Sequence, residues 1–208
     1  VESMMVEQNQ INQYVDSFNQ LDKPIKLLLD IGEERLLLPP NLDIEKKITI
    51  QELLLPILER GNANAKLENR AWIQPDCWPE WTLKAIKPRF AVIAEIVANL
   101  LENAFKYANK DAEIGIFITS KGLCIFDDGN KITINENEKI FQKGFRGLAS
   151  KKKEGTGVGL FLARKLAKQI GGNLNLVENS MKDNYEELNA LKKKNIFYLE
   201  LPIKQLHE

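Results

Sequence analysis

Histidine occurs once in these 208 residues and cysteine twice. With so few ligating side chains, neither a Cys/His zinc site nor a disulfide framework can be assembled. Cys77 and Cys124 lack metal-ligand spacing. Cys124 falls in a strand-like run where a buried free thiol is expected, which fits a reducing compartment. A surplus of charge is also missing: 29 basic and 29 acidic side chains cancel, so no global basic field attracts nucleic acid or an anionic membrane. Charges interrupt every apolar run well before the roughly 18 residues needed to span a bilayer, and no signal peptide opens the chain. The expectation is a cytoplasmic soluble chain without a membrane segment, and its first residue, Val1, suggests a piece of something longer.

What is present supports a real core, since 44% of residues are hydrophobic. Residues 4–29 place Met4, Ile11, Val15, Phe18, Leu21, Ile25, Leu28 and Leu29 at helical spacings, a coiled-coil-like seam that would pair with another helix or a second chain. Pro24 would kink it. Pro39-Pro40 marks a linker, giving a helical segment 1–38, a linker 39–48 and a domain 49–208. Thr49 and Glu52 form a capping box opening a helix over 51–60, with Gly61-Asn62 as its stop. Residues 71–83 read as a strand broken by proline turns; their three tryptophans either pack in the core or form a partner surface. Pro88 suits the first turn of a helix running through Tyr107. Residues 113–119 and 122–127 make a hairpin ending at Asp127-Asp128-Gly129. A loop or lid over 132–154, anchored by Ile140, Phe141, Phe145 and Leu148, precedes a helix from Leu160 to Ile170. Strands at 173–177 and 196–202 close the chain around a charged insertion at 179–195.

Three patterns carry chemistry. In the helix ending at Tyr107, Asn99, Asn103 and Lys106 fall at i, i+4 and i+7 on one face, with Val97, Leu100, Leu101, Ala104 and Ala108 on the other. An amide oxygen is a hard metal ligand and an ammonium a point charge for phosphate; the same stripe also suits a plain wet face. Gly155-Thr156-Gly157-Val158-Gly159 runs into Leu160 and a helix start, which makes a backbone anion site or a flexible turn. Its spacing matches neither a dinucleotide fingerprint nor a P-loop. Asp127-Asp128-Gly129 reads as a tight turn or as a carboxylate aimed at a ligand amine.

In this order, the patterns together with Phe141-x-x-Gly-Phe145-Arg146 resemble the ATP-binding catalytic domain of sensor histidine kinases. That family belongs to the gyrase–Hsp90–histidine kinase–MutL superfamily with its Bergerat ATP fold. The resemblance covers about residues 49–203. It implies an α/β sandwich, a mixed and mostly antiparallel sheet with helices on one face, preceded by a dimerisation-type helix. By that resemblance Asn103 ligates Mg²⁺ on ATP with Asn99 beside it, Lys106 contacts phosphate, and these three form the catalytic set. Tyr107 lines the adenine pocket and Asp127 reads the adenine amine beside Gly129. Phe141, Phe145 and Arg146, in the lid, also contact ATP, and Gly155, Thr156, Gly157, Val158, Gly159 and Leu160 cradle phosphates.

The resemblance also carries departures. The usual Asp-x-Gly-x-Gly has Lys131 at its second glycine, and a left-handed Asn130 is one way to keep the turn. Asn99 occupies the place where ATP-hydrolysing relatives and related serine kinases carry a general-base Glu, which favours transfer to histidine over an ATPase or serine kinase. His207, in a tail expected to fray, is a poor acceptor. The acceptor is therefore expected outside the chain, with a response regulator receiver domain as partner and a homodimer formed through residues 1–38. The competing reading is a degenerate kinase serving as a nucleotide-sensing dimeric module.

Overall fold

The computed structural model describes residues 48–147, 156–177 and 195–207. The seam helix, the linker, Leu148, Gly155 and most of the charged insertion lie outside those residues.

Five strands form one sheet: β1 (Ala71–Ile73), β2 (Glu113–Ile118), β3 (Gly122–Asp127), β4 (Asn173–Leu176) and β5 (Asn195–Glu200), in the spatial order β1-β2-β3-β5-β4. The β1–β2 pair is parallel and the other pairs are antiparallel. Three helices, α1 (Ile50–Leu67), α2 (Ile93–Tyr107) and α3 (Gly159–Gln169), pack with one face of the sheet in the main core. Leu123 and Ile125 of β3 meet that core, whereas Cys124 and Phe126 join Ile196 and Tyr198 in a second apolar cluster. With both faces covered, β3 reads as a continuous apolar run rather than an alternating one. Cys124 is the buried free thiol expected of it, and Cys77 is exposed.

The capping box forms as spaced: the Glu52 amide donates to Thr49 Oγ1 at 3.1 Å and the Thr49 amide to Glu52 Oε2 at 2.8 Å. The helix does not stop at Gly61, however. It continues to Leu67, and the left-handed residue after it is Asn69 (φ 53°). Gly61 serves packing instead, because a Cβ there would lie 2.4 Å from Trp72 Cη2. Trp72 stacks on Phe105 with centroids 6.0 Å apart, and Trp81 is buried with its Nε1 donating to Thr119 O at 3.1 Å. Trp78 also packs against the core, so the tryptophans act as packing residues. The predicted strand over 71–83 shortens to Ala71–Ile73 plus a 3₁₀ turn at Glu80–Thr82. Pro88 opens a 3₁₀ turn, Pro88–Val92, that leads into α2.

The carboxyl end is not frayed. A short helix α4 (Ile203–Leu206) buries Leu206, and the Lys87 amide donates to Leu206 O at 2.8 Å. His207 pairs with Ile86 and lies 3.0 Å from Ala85 O through Nδ1. A buried leucine next to a backbone bridge is enough to dock a tail that sequence position alone would leave loose.

Candidate functional site

A cavity of about 300 Å³ opens between α2, the start of α3, the ends of β3 and β5, and the loop after β3. Its lining includes Asn99, Asn103, Lys106 and Tyr107 from α2, Asp127 from β3, and Phe145, Thr156, Gly157, Gly159 and Leu160 from the loop and α3. The stripe on α2 is not a wet face, because Asn99 is buried.

The two amides are oriented by their nitrogens. Asn99 Nδ2 donates to Glu95 O at 2.9 Å and to Glu95 Oε1 at 2.7 Å, and Asn103 Nδ2 donates to Asn99 O at 2.9 Å. Among the described residues neither amide oxygen accepts a hydrogen bond, which leaves two hard oxygen donors beside the cavity. Beside the two amides stands Gly159. A Cβ there would come 3.3 Å from Asn99 Oδ1 and 3.4 Å from Asn103 Nδ2. Glycine thus keeps the start of α3 close to the amides, and no side chain caps that helix. Uncapped N–H groups facing a polar cavity suit a phosphate. Gly157 (φ +69°) needs its freedom: a Cβ would meet Phe145 O at 2.7 Å, while the Gly144 amide ties this segment to the lid by donating to Gly157 O at 3.1 Å.

Mg²⁺ fits this donor set. Among the described residues there is no cluster of three acidic, cysteine or histidine side chains for a metal. A cation held by one amide oxygen and a ligand's phosphates, with water completing its shell, needs none.

Asp127, also on the cavity wall, is buried, and its Oδ1 accepts from the Gly129 amide at 2.8 Å and from Asn195 Nδ2 at 2.9 Å. Burial pushes the Tyr107 hydroxyl above its ordinary range, with the Arg146 charge opposing and Glu102 adding to the rise.

Four predicted contact residues do not line the cavity. Gly129 stands behind Asp127, where a Cβ would be 2.7 Å from Asp127 Oδ1. Val158 is buried in the core. Phe141 is buried edge-on against Phe197, 6.4 Å between centroids, with Arg164 over its ring at 4.3 Å. Arg146 acts on Tyr107 by its charge rather than from the wall. Gly155 lies outside the described residues. Conversely, Glu102, Asn130, Lys131, Ile132, Glu136 and Asn195 line the cavity without having been singled out as its contacts. Asn130 is not left-handed; among the described residues Asn69 is the one non-glycine with positive φ. The turn is kept by another route, through Asn195.

Arg164 of α3 fastens the base of the lid. It grips Glu138 through two bonds of 2.7 and 3.3 Å. The hydrogen bond from Arg164 holds the Glu138 carboxyl below its ordinary range, against the opposing effect of burial and with the Arg164 and Lys168 charges assisting. Glu138 is 74% exposed, so the pair is worth about 0.5 kcal/mol. Arg164→Ala is expected to lower the melting temperature slightly and weaken nucleotide affinity about threefold by loosening the lid. A folded-state value below the unfolded one stabilises above the unfolded carboxylate range, and this is lost as pH falls through the folded value. The stability gap between wild type and variant should therefore narrow on acidification, which melting curves at several pH values would check.

The profile of the family described as Histidine kinase-, DNA gyrase B-, and HSP90-like ATPase matches residues 91–205. The chain belongs to this family, and its fold is that of an ATP-binding catalytic domain of the sensor histidine kinase type. It is 33% identical over 137 residues to sensor histidine kinase Hik2 of Thermosynechococcus vestitus, covering 62% of this chain and 34% of the relative. It is 31% identical over 135 residues to histidine protein kinase SaeS of Staphylococcus epidermidis, covering 61% and 38%. The chain thus spans little more than a third of the curated relatives it matches. Among solved structures, the nucleotide-free catalytic domain of histidine kinase ThkA superposes with a TM-score of 0.57 at 19% identity, covering 77% of this chain and 97% of that one. The cytoplasmic segment of histidine kinase QseC gives 0.55 at 14% identity, covering 88% and 93%. At such identities these two show the fold.

Proposed function

We propose that this domain binds ATP with Mg²⁺ and transfers the γ-phosphoryl group to a histidine outside the chain, for onward transfer to a response regulator receiver domain. The observation that carries the reading is the pair of amides on Asn99 and Asn103, whose oxygens accept no hydrogen bond among the described residues, set against the uncapped start of α3 at Gly159. Asn103 would hold Mg²⁺ through its amide oxygen, Asn99 flanks it, and Lys106 meets phosphate. Bound Mg²⁺ supplies charge neutralisation on the triphosphate. Asp127 would orient the purine. In the transfer, an imidazole nitrogen lone pair forms the P–N bond as the β–γ bridging P–O bond breaks, and ADP leaves. The chain's part is positioning and electrostatics.

Glu95 does not support the ATPase alternative. Its carboxylate is bonded to Asn99 and lines a neighbouring groove, not this cavity. Among the described residues no helix is long and apolar enough to cross a membrane; cytoplasmic residence and a homodimer through residues 1–38 complete the proposal.

Titration with a fluorescent ATP analogue should give Mg²⁺-dependent binding in the micromolar to sub-millimolar range. The chain incubated with labelled ATP should not label itself, yet should label an added dimerisation domain bearing an acceptor histidine. Absence of nucleotide binding would end the proposal, and stable self-labelling would refute an external acceptor.

A further inference from the structure

Asn195 opens β5 directly opposite Asp127 in the β3–β5 ladder, and its side chain is buried. Its amide group is engaged at both its nitrogen and its oxygen. Nδ2 donates to Asp127 Oδ1 at 2.9 Å and to Asn130 O at 3.0 Å, while Oδ1 accepts from the Ile132 amide at 3.0 Å. One side chain therefore joins the Asp127 carboxylate on the cavity wall to both arms of the turn that follows it.

The chemistry explains why asparagine stands here. Two donors and an acceptor are required within one short planar group. A hydroxyl has a single proton and could not serve Asp127 and Asn130 together. Aspartate could donate to neither, and alanine would leave buried polar groups of the turn without partners. The turn needs this support, because Lys131 occupies a position where glycine would give the backbone freedom and Asn130 is not left-handed. With the Gly129 amide as second donor, Asp127 Oδ1 receives two N–H groups that fix the plane of the carboxylate.

We infer that Asn195 is a positioning residue for base selection: it sets the Asp127 carboxylate and the 128–132 turn so that the cavity accepts a 6-aminopurine over a 6-oxopurine. The inference rests on the ATP-binding reading above. Asn195 acts through Asp127 and the turn, not by touching the phosphates, so its effect is confined to the purine end.

The test compares ATP with inosine triphosphate, which carries an oxo group in place of the amine, using the full 208-residue chain with Mg²⁺. Wild type should prefer ATP. Asn195→Ala should weaken ATP about tenfold, the cost of roughly one well-placed hydrogen bond, and leave inosine triphosphate little changed, so the preference collapses. A merely structural role would weaken both nucleotides equally and preserve the ratio, which would overturn the inference. Should Asn195→Ala not fold, isosteric Asn195→Asp decides: it places a second carboxylate 2.9 Å from Asp127, and the same loss of preference is expected, with a retained preference counting against Asn195. A wild type that binds both nucleotides equally would overturn the purine-amine reading of Asp127 and this inference with it. A wild type that discriminates beside a variant that still does so overturns the role of Asn195 alone.

Discussion

Asn103→Ala is expected to weaken Mg²⁺-dependent ATP binding roughly a hundredfold, about 3 kcal/mol, and to abolish phosphoryl transfer. The large effect follows from how few protein groups the metal would have. Both amides lie beside the start of α3, and removing Asn103 deletes the oxygen proposed to ligate the metal. The fold should tolerate the change. Asn103 Nδ2 makes a single part-buried bond to Asn99 O, one turn back on the same helix, and losing it costs about 1 kcal/mol. The diagnostic measurement is ATP affinity with Mg²⁺ and again with EDTA. Wild type should lose most of its affinity to the chelator and the variant little, because its metal contribution is already gone. A variant that keeps the full Mg²⁺ dependence would remove Asn103 from the metal site.

Local signals were the legible ones. The 113–127 hairpin, the capping box at Thr49 and the polar stripe on α2 are each set by spacings within one element, and all form where the sequence places them. The two amides and the glycine run meet across the cavity although they come from separate helices, and only the resemblance to histidine kinases joined them beforehand. Contacts between distant segments were not legible. Asn195 reaches Asp127 because the β3–β5 register sets them side by side, and nothing in its neighbourhood in sequence marks it. Gly61 looked like a helix stop because glycine serves both C-caps and close packing, and the nearness of Trp72 decides between them. Phe141 and Phe145 sit in a motif whose members divide between core and cavity, a division that burial sets and spacing does not.

Gly129→Ala is expected to combine the largest structural and functional losses around Asp127. Its backbone has no positive φ, so glycine is required there for approach rather than for conformation. A Cβ would be 2.7 Å from Asp127 Oδ1, 2.9 Å from Ala108 Cα and 3.0 Å from Tyr107 O. Two of those three neighbours are backbone at the end of α2, and the third is a carboxylate oxygen held by the Gly129 amide and Asn195. No flexible side-chain end can yield. Either the end of α2 moves away from β3, or the carboxylate turns and both its bonds break. Overpacking of this kind costs about 1–3 kcal/mol, and a displaced Asp127 should cost ATP affinity roughly a further hundredfold through the lost purine contact and its unpaired partners. Gly144→Ala is the matched control. Gly144 has φ +76°, and a Cβ there would meet nothing within 4 Å, so alanine faces only backbone strain of about 1 kcal/mol. Thermal unfolding and ATP titration of the two variants separate the causes. Gly144→Ala should shift melting slightly and keep most of the ATP affinity, while Gly129→Ala should lose both stability and affinity; equal behaviour would mean that close approach is not what position 129 requires.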